Sequence, residues 1–186
     1  MRLKLAVPML CLLLLCACGA GNTSAQTPIA FRTSLNDSGE CSFRAAVTAD
    51  YGEYIREFLL DCQTGPDSAT LTVMEPEVAM GITAEVSGED ASVSYDGTVL
   101  AVEDFSSRRI SPMAAPYILS EAWRGGYISA TGRDGEYETV EYLLGYGLEE
   151  LTITTYFSGG IPVQAEISDG EAVLIFCGIT ELAMIT

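Results

Sequence analysis

Cysteine is the residue type with the most chemistry to offer in this chain. There are six in 186 residues. Cys11, Cys16 and Cys18 crowd the N-terminus, and Cys41, Cys62 and Cys177 are spread through the rest. Histidine is absent. That removes the commonest general base and the commonest metal ligand, and rules out Ser-His-Asp and Cys-His catalysis within the chain. No G-x-S-x-G, phosphate-binding glycine loop or C-x-x-C follows Cys18. Paired carboxylates remain the one catalytic option. Glu138, Glu141, Glu149 and Glu150 are neighbours in sequence, but strand faces and loops account for them equally well. We therefore expect no enzyme, no metal and no cofactor.

Cys18 has a more specific context. Arg2 and Lys4 precede an apolar run from Leu5 to Leu15, and Leu15-Cys16-Ala17-Cys18-Gly19 closes it. A basic start, a short apolar stretch and a small residue before the cut make a secretory signal peptide. Leu at −3, Ala at −1 and Cys at +1 resemble the bacterial lipobox, in which the thiol is diacylated and the chain is cut before it. Cys16 does not fit, because Leu15 would sit at −1. This reading makes residues 1–17 a lipoprotein signal peptide and Cys18 a two-chain tether. Each buried methylene contributes about 0.8 kcal/mol, so two chains hold durably where one does not. The mature protein is then extracytoplasmic and anchored to the cell membrane.

Cleavage leaves 169 residues, enough for one domain with a core. The nine basic residues fall to seven against 26 acidic ones, a net charge of −19. Such a surface repels nucleic acid and anionic headgroups and keeps the domain in solution. Residues 18–30 read as the lipidated N-terminus and a small, polar, flexible spacer, and residues 31–186 as the folded domain.

The elements that position the remaining residues read mostly as strands. β-branched and aromatic residues alternate over Ser42–Tyr51, Glu53–Cys62, Ala69–Met74, Ile82–Ser87, Ala91–Tyr95 and Thr98–Val102. A second set covers Tyr127–Thr131, Thr139–Leu144, Leu151–Phe157, Pro162–Ser168 and Ala172–Phe176. Asp96-Gly97, Asp134-Gly135 and Asp169-Gly170 are hairpin-turn pairs, which makes those aspartates turn formers rather than ligands. One amphipathic helix is expected from Pro112 to Trp123, with Ser111 as its cap and Gly125-Gly126 as its end. Pro116 is awkward inside it and could restart the helix.

A two-residue turn at Tyr51-Gly52 would set the first hairpin so that Phe43 meets Leu60, Ala45 meets Phe58 and Ala49 meets Tyr54. One face is then apolar apart from Arg56 opposite Val47. The same register puts Cys41 opposite Cys62, within the span of a disulfide. They are either that bridge or two reduced, half-buried thiols. Cys177 is left as a buried free thiol, a competitor for the other two, or an interchain partner. Arg108-Arg109 is the one paired positive charge. It reads better as neutralising Glu103 and Asp104 than as an anion contact.

In order, the chain has a lipobox, a spacer, two long strands (Phe43–Asp50, Tyr54–Asp61) and a third strand ending in Pro76. Val78-Ala79-Met80-Gly81-Ile82, Ser94-Tyr95-Asp96-Gly97 and the Pro112–Trp123 helix follow. This order resembles the LolA/LolB lipoprotein-carrier superfamily, above all its lipid-anchored relatives in Gram-positive bacteria, over Ser42 to Phe176. The resemblance implies a mainly β (α+β) fold: a curved antiparallel half-barrel of about ten strands, with one or more helices over its concave face. It also implies an apolar cavity that takes a lipid or the acyl chain of a lipoprotein. Phe43, Phe58, Leu60 and Tyr95 are its candidate lining, with Val73 as an extension, and Met113, Tyr117, Leu119 and Trp123 its candidate lid. Two departures stand out. The soluble carrier is not lipidated, and Phe31–Gly39 is too short and turn-rich for the helix that usually precedes the first strand. The alternative function is a non-catalytic anchored partner that positions or regulates an envelope or cell-wall protein.

Overall fold

The computed structural model describes residues 23–88, 90–102, 111–147, 150–170 and 174–185. Cys18, Arg108, Arg109, Glu103, Asp104 and Glu149 lie outside the described residues. Helix α1 spans Thr23–Ser38. Six strands follow: β1 Glu40–Asp50, β2 Ile55–Thr64, β3 Ser68–Glu75, β4 Thr83–Ser87, β5 Asp90–Tyr95 and β6 Thr98–Ala101. Helix α2, Ala115–Gly125, separates them from β7 Tyr127–Asp134, β8 Tyr137–Leu144, β9 Leu151–Ser158, β10 Ile161–Ser168 and β11 Leu174–Ile185.

All eleven strands form one open antiparallel sheet, ordered β6 to β1 and then β11 to β7. Each half is a run of hairpins. The first and last strands, β1 and β11, join them at the centre and leave β6 and β7 as edges. Period-two alternation gives the sheet one apolar inner face. Along β1 it is Cys41, Phe43, Ala45, Val47 and Ala49, all buried, and across the centre Val47 faces Cys177 and Ala45 faces Ile179. Both helices lie on this face. Burial of these side chains is the main stabilising term at roughly 25 cal/mol per Å² of apolar surface.

The first hairpin differs from the expected register by two residues. Phe43 faces Cys62, Ala45 faces Leu60, Val47 faces Phe58, Ala49 faces Arg56 and Cys41 faces Thr64. The turn is centred one residue later, on Gly52-Glu53. Gly52 takes the left-handed conformation at φ 79°, and its N–H donates to the Asp50 carboxylate at 2.7 Å. Moving a turn by one residue moves the pairing by two, so each side chain keeps its face while every partner changes. The Cys41–Cys62 bridge is thereby corrected: both thiols, and Cys177, are free and buried.

Helix α1 is a second correction. It covers Thr23–Ser38, where a spacer and a turn-rich segment were expected and the folded domain was expected to begin only near residue 31. Pro28, Phe31 and Leu35, spaced three and four apart, form its buried stripe. Only three apolar residues carry that face, and Pro28 disguises it as a helix breaker. Helix α2 starts later than expected. Ser111 caps a turn, its Oγ accepting from the Met113 N–H at 3.1 Å, and the helix proper begins at Ala115. Pro116 thus stands in the first turn, where a missing N–H is harmless. β11 also runs nine residues past Phe176, the end expected from the sequence.

Candidate functional site: an apolar cleft beside the N-terminal helix

Four of the eight side chains nominated for a cavity are buried in the hydrophobic core: Phe43, Leu60, Leu119 and Trp123, each at most 1% exposed. Trp123 packs against Phe43 at 5.7 Å between ring centroids and edge-on against Phe31 at 5.6 Å, and Phe31 meets Phe157 at 5.6 Å. The Trp123 indole N–H donates to Thr155 Oγ1 at 3.0 Å, so its buried polar end is satisfied. Phe58, Met113 and Tyr117 are half-buried at the margin of this core. Tyr95 is 53% exposed, on β5 near the β6 edge.

Two arginines pin the helices over that interior. Arg32 of α1 reaches the C-terminus of α2, donating to the carbonyls of Trp123 (2.8 Å), Ala122 (3.3 Å) and Gly126 (2.6 Å). Arg124 of α2 returns the contact, donating to the Leu35 carbonyl in the last turn of α1 at 3.1 Å and to the Thr64 carbonyl at 3.3 Å. Each guanidinium satisfies carbonyls that a helix end leaves bare and meets the negative pole of the helix dipole. Below them Ser120 donates to Thr64 Oγ1 at 2.9 Å, and the Cys41 thiol lies 3.3 Å from the same oxygen.

The buried thiols are poor nucleophiles. Burial raises the pKa of Cys62 far above its ordinary value and pushes Cys177 up to about 12, and burial also raises Cys41. All three stay protonated at neutral pH, the inert state of a core cysteine. Among the described residues no cluster of His, Cys, Asp and Glu could hold a metal ion. Among them, too, no helix is long and apolar enough to cross a membrane.

An open apolar space does exist, at the other side of α1. A cleft of about 480 Å³ lies between α1 (Gln26, Thr27, Ala30, Phe31, Ser34) and the strand ends Gly160, Ile161, Leu182 and Met184. None of these side chains ionises. Its far wall depends on a β-bulge. Between the pairs Ser42–Ala183 and Arg44–Thr180, two residues of β11, Glu181 and Leu182, oppose the single Phe43. Glu181 takes φ 54°, a left-handed conformation rare outside glycine and asparagine. The extra residue switches the parity of β11. Ile175, Cys177 and Ile179 face inward before the bulge, and Leu182 and Met184 after it. Without the bulge those two side chains would point to the outer face. A second irregularity, in β10 between Pro162 and Gln164, adjoins Ile161 in the same wall.

None of the lining residues was nominated from the sequence. Two signals were there: the change of apolar parity across Thr180-Glu181, and the Pro28, Phe31, Leu35 spacing.

No protein-family model matches the sequence, and no curated protein matches it. Solved structures do. A DUF1329 family protein of Desulfovibrio piger superposes with a TM-score of 0.54 at 10% identity, covering 87% of this chain and 91% of that one. A LolA superfamily protein of Nitrosomonas europaea gives 0.48 at 10% identity, with 84% and 94% covered. The Mycobacterium tuberculosis lipoprotein LppX gives 0.40 at 15% identity, with 83% and 94% covered. At these identities the likeness concerns the fold. An open antiparallel sheet with helices on its inner face is the mainly β half-barrel architecture expected from the sequence.

Proposed function

We propose that this chain is a non-catalytic lipoprotein, anchored outside the cell membrane through diacylglyceryl-Cys18, that binds the acyl chain of a lipid or of another lipoprotein. The observation that carries the reading is the uncharged apolar cleft between α1 and the ends of β10 and β11, whose wall is built by a strained bulge. Strained non-glycine backbone persists where the surrounding structure insists on it, and such sites concentrate where ligands bind. The cleft is within the usual size range of small-ligand sites. Burying a dozen methylenes at about 0.8 kcal/mol each leaves useful affinity after ordering costs. The anchor also supports it. Cys18 precedes Gln26 by eight residues, a reach of at most about 28 Å, so the cleft would open close to the bilayer.

The test is uptake of a fluorescent fatty acid. Leu182→Asp and Met184→Asp place charge in the wall and should weaken binding at least tenfold, while Leu100→Ser, far away on β6, should not. Equal binding by all four proteins would contradict the reading. A second reading, the anchored partner of an envelope protein, is favoured by one observation: Tyr95, Val99 and Leu100 stand exposed together at one end of the sheet.

A further inference from the structure

The two edges of the sheet are treated differently. Edge strand β7 is guarded. It carries a bulge between Ile128 and Ala130, is contacted by α1, and ends in Arg133 and Asp134, with Arg133 3.9 Å from Glu138 of β8. Bulges, charges and covering elements are the devices that stop an edge from recruiting another strand. Edge strand β6, Thr98-Val99-Leu100-Ala101, has none of them among the described residues. It pairs with β5 without a register shift, holds no charge and no proline, and is exposed at all four residues, Val99 to 65% and Leu100 to 63%.

The register says which backbone groups point outward. Asp96 and Gly97 both take positive φ, 48° and 77°, the signature of a two-residue type I′ turn. In such a hairpin Tyr95 and Thr98 bond each other, and bonded pairs then alternate. The Val102 N–H donating to the Ala91 carbonyl at 2.9 Å lies in the same phase. Val93 and Leu100 are therefore bonded to each other, whereas the N–H and C=O of Val99 and Ala101 face away from β5. Among the described residues no strand takes them. The side chains divide by face: Leu100 pairs with Val93 and Thr98 with Tyr95 on the inner side, and Val99 with Ser94 on the outer.

Charge selects the partner. Residues 83–101 contain Glu85, Glu89, Asp90 and Asp96 and no Lys or Arg, within a chain of net charge −17. A second copy would bring a like-charged hairpin against this one, which opposes pairing. We propose that β6 is a strand-addition site, and that its occupant is an extended segment of another protein with alternating apolar residues and basic flanks. Backbone bonds to Val99 and Ala101 would supply the affinity, and Leu100 with Tyr95 on one face and Val99 on the other would supply the selection. The proposal is independent of the acyl-chain cleft.

The test is a displayed library of extended nine-residue peptides with Val, Ile, Thr or Tyr at alternate positions and either Lys or Glu at the flanks. It is screened against the full chain and two variants. Val99→Pro removes an outward N–H and leaves the bonds to β5 intact. Leu100→Lys keeps every N–H and adds the edge lysine that guarded strands use, so it serves if the first variant folds poorly. Lys-flanked peptides should be enriched, bind at least tenfold more weakly to either variant, and protect the Val99 and Ala101 amides from hydrogen exchange. Fatty-acid uptake should be unchanged in both variants. Enrichment of neither flank class, or of Glu-flanked peptides, would overturn the proposal. So would binding that both variants retain, or self-association of the parent chain that Val99→Pro abolishes.

Discussion

Arg32 and Arg124 decide whether the two helices stay on the sheet. A hydrogen bond to a charged donor contributes about 1.5–3 kcal/mol, and here each guanidinium serves more than one carbonyl. Arg32→Ala should lower stability by about 2–3 kcal/mol in urea denaturation. Arg32→Lys should recover little, since an ammonium cannot span three carbonyls as a planar fork does. Glu121 acts in the opposite sense. Burial raises its pKa, repulsion from Asp67 adds to this, and Arg124 opposes it. A carboxyl whose pKa is higher folded than unfolded binds its proton more tightly in the native state. The penalty for ionising it in the fold therefore appears as pH rises through the unfolded value of about 4.5 and persists above the folded one. Glu121→Gln should raise the Tm at pH 7, and the gain should vanish below about pH 4. A gain that grew on acidification would reverse this assignment.

At the scale of elements, the strands were legible and their joins were not. Period-two alternation located the eleven strands because one face of each is buried along most of the sheet. The exception is β6, read from the same alternation although both of its faces are exposed. Register was missed in the first hairpin because Tyr51-Gly52 and Gly52-Glu53 are equally good turns until the Asp50 carboxylate is seen bonding the Gly52 N–H. Helix α1 was missed because its stripe is only Pro28, Phe31 and Leu35, and because the Arg32 contacts that hold it lie some 90 residues away in sequence. The candidate cavity residues were legible as apolar and inward-facing. Which of them stay accessible depends on how tightly α2 packs, and that is set by Arg32, Arg124 and the Trp123–Thr155 bond rather than by local pattern. The bulge in β11 gives an element-scale prediction. Glu181 is left-handed and its carboxylate meets Arg44 at 3.0 Å, an exposed pair contributing about 1 kcal/mol at most. Glu181→Gly should change stability by less than about 1 kcal/mol, because relief of the backbone offsets the lost pair. Glu181→Val loses the pair and adds β-branched strain, and should be worse than the glycine variant by about 1–2 kcal/mol in thermal unfolding.

For the whole molecule, the open sheet needs its interior filled, and the fill is aromatic. Trp123→Ala should cost about 3–5 kcal/mol, since Phe31 and Phe43 each lose a ring partner and Thr155 a donor. Apolar wall and open space coincide in the cleft beside α1. The central claim is that this cleft holds an acyl chain. It is tested most directly by native mass spectrometry of the protein purified from its own host with Cys18 replaced, beside the same protein carrying Leu182→Asp and Met184→Asp. The account predicts a co-purifying lipid of defined mass on the first, released by organic extraction, and little or none on the second. An empty protein, or a lipid retained equally by both, would contradict it.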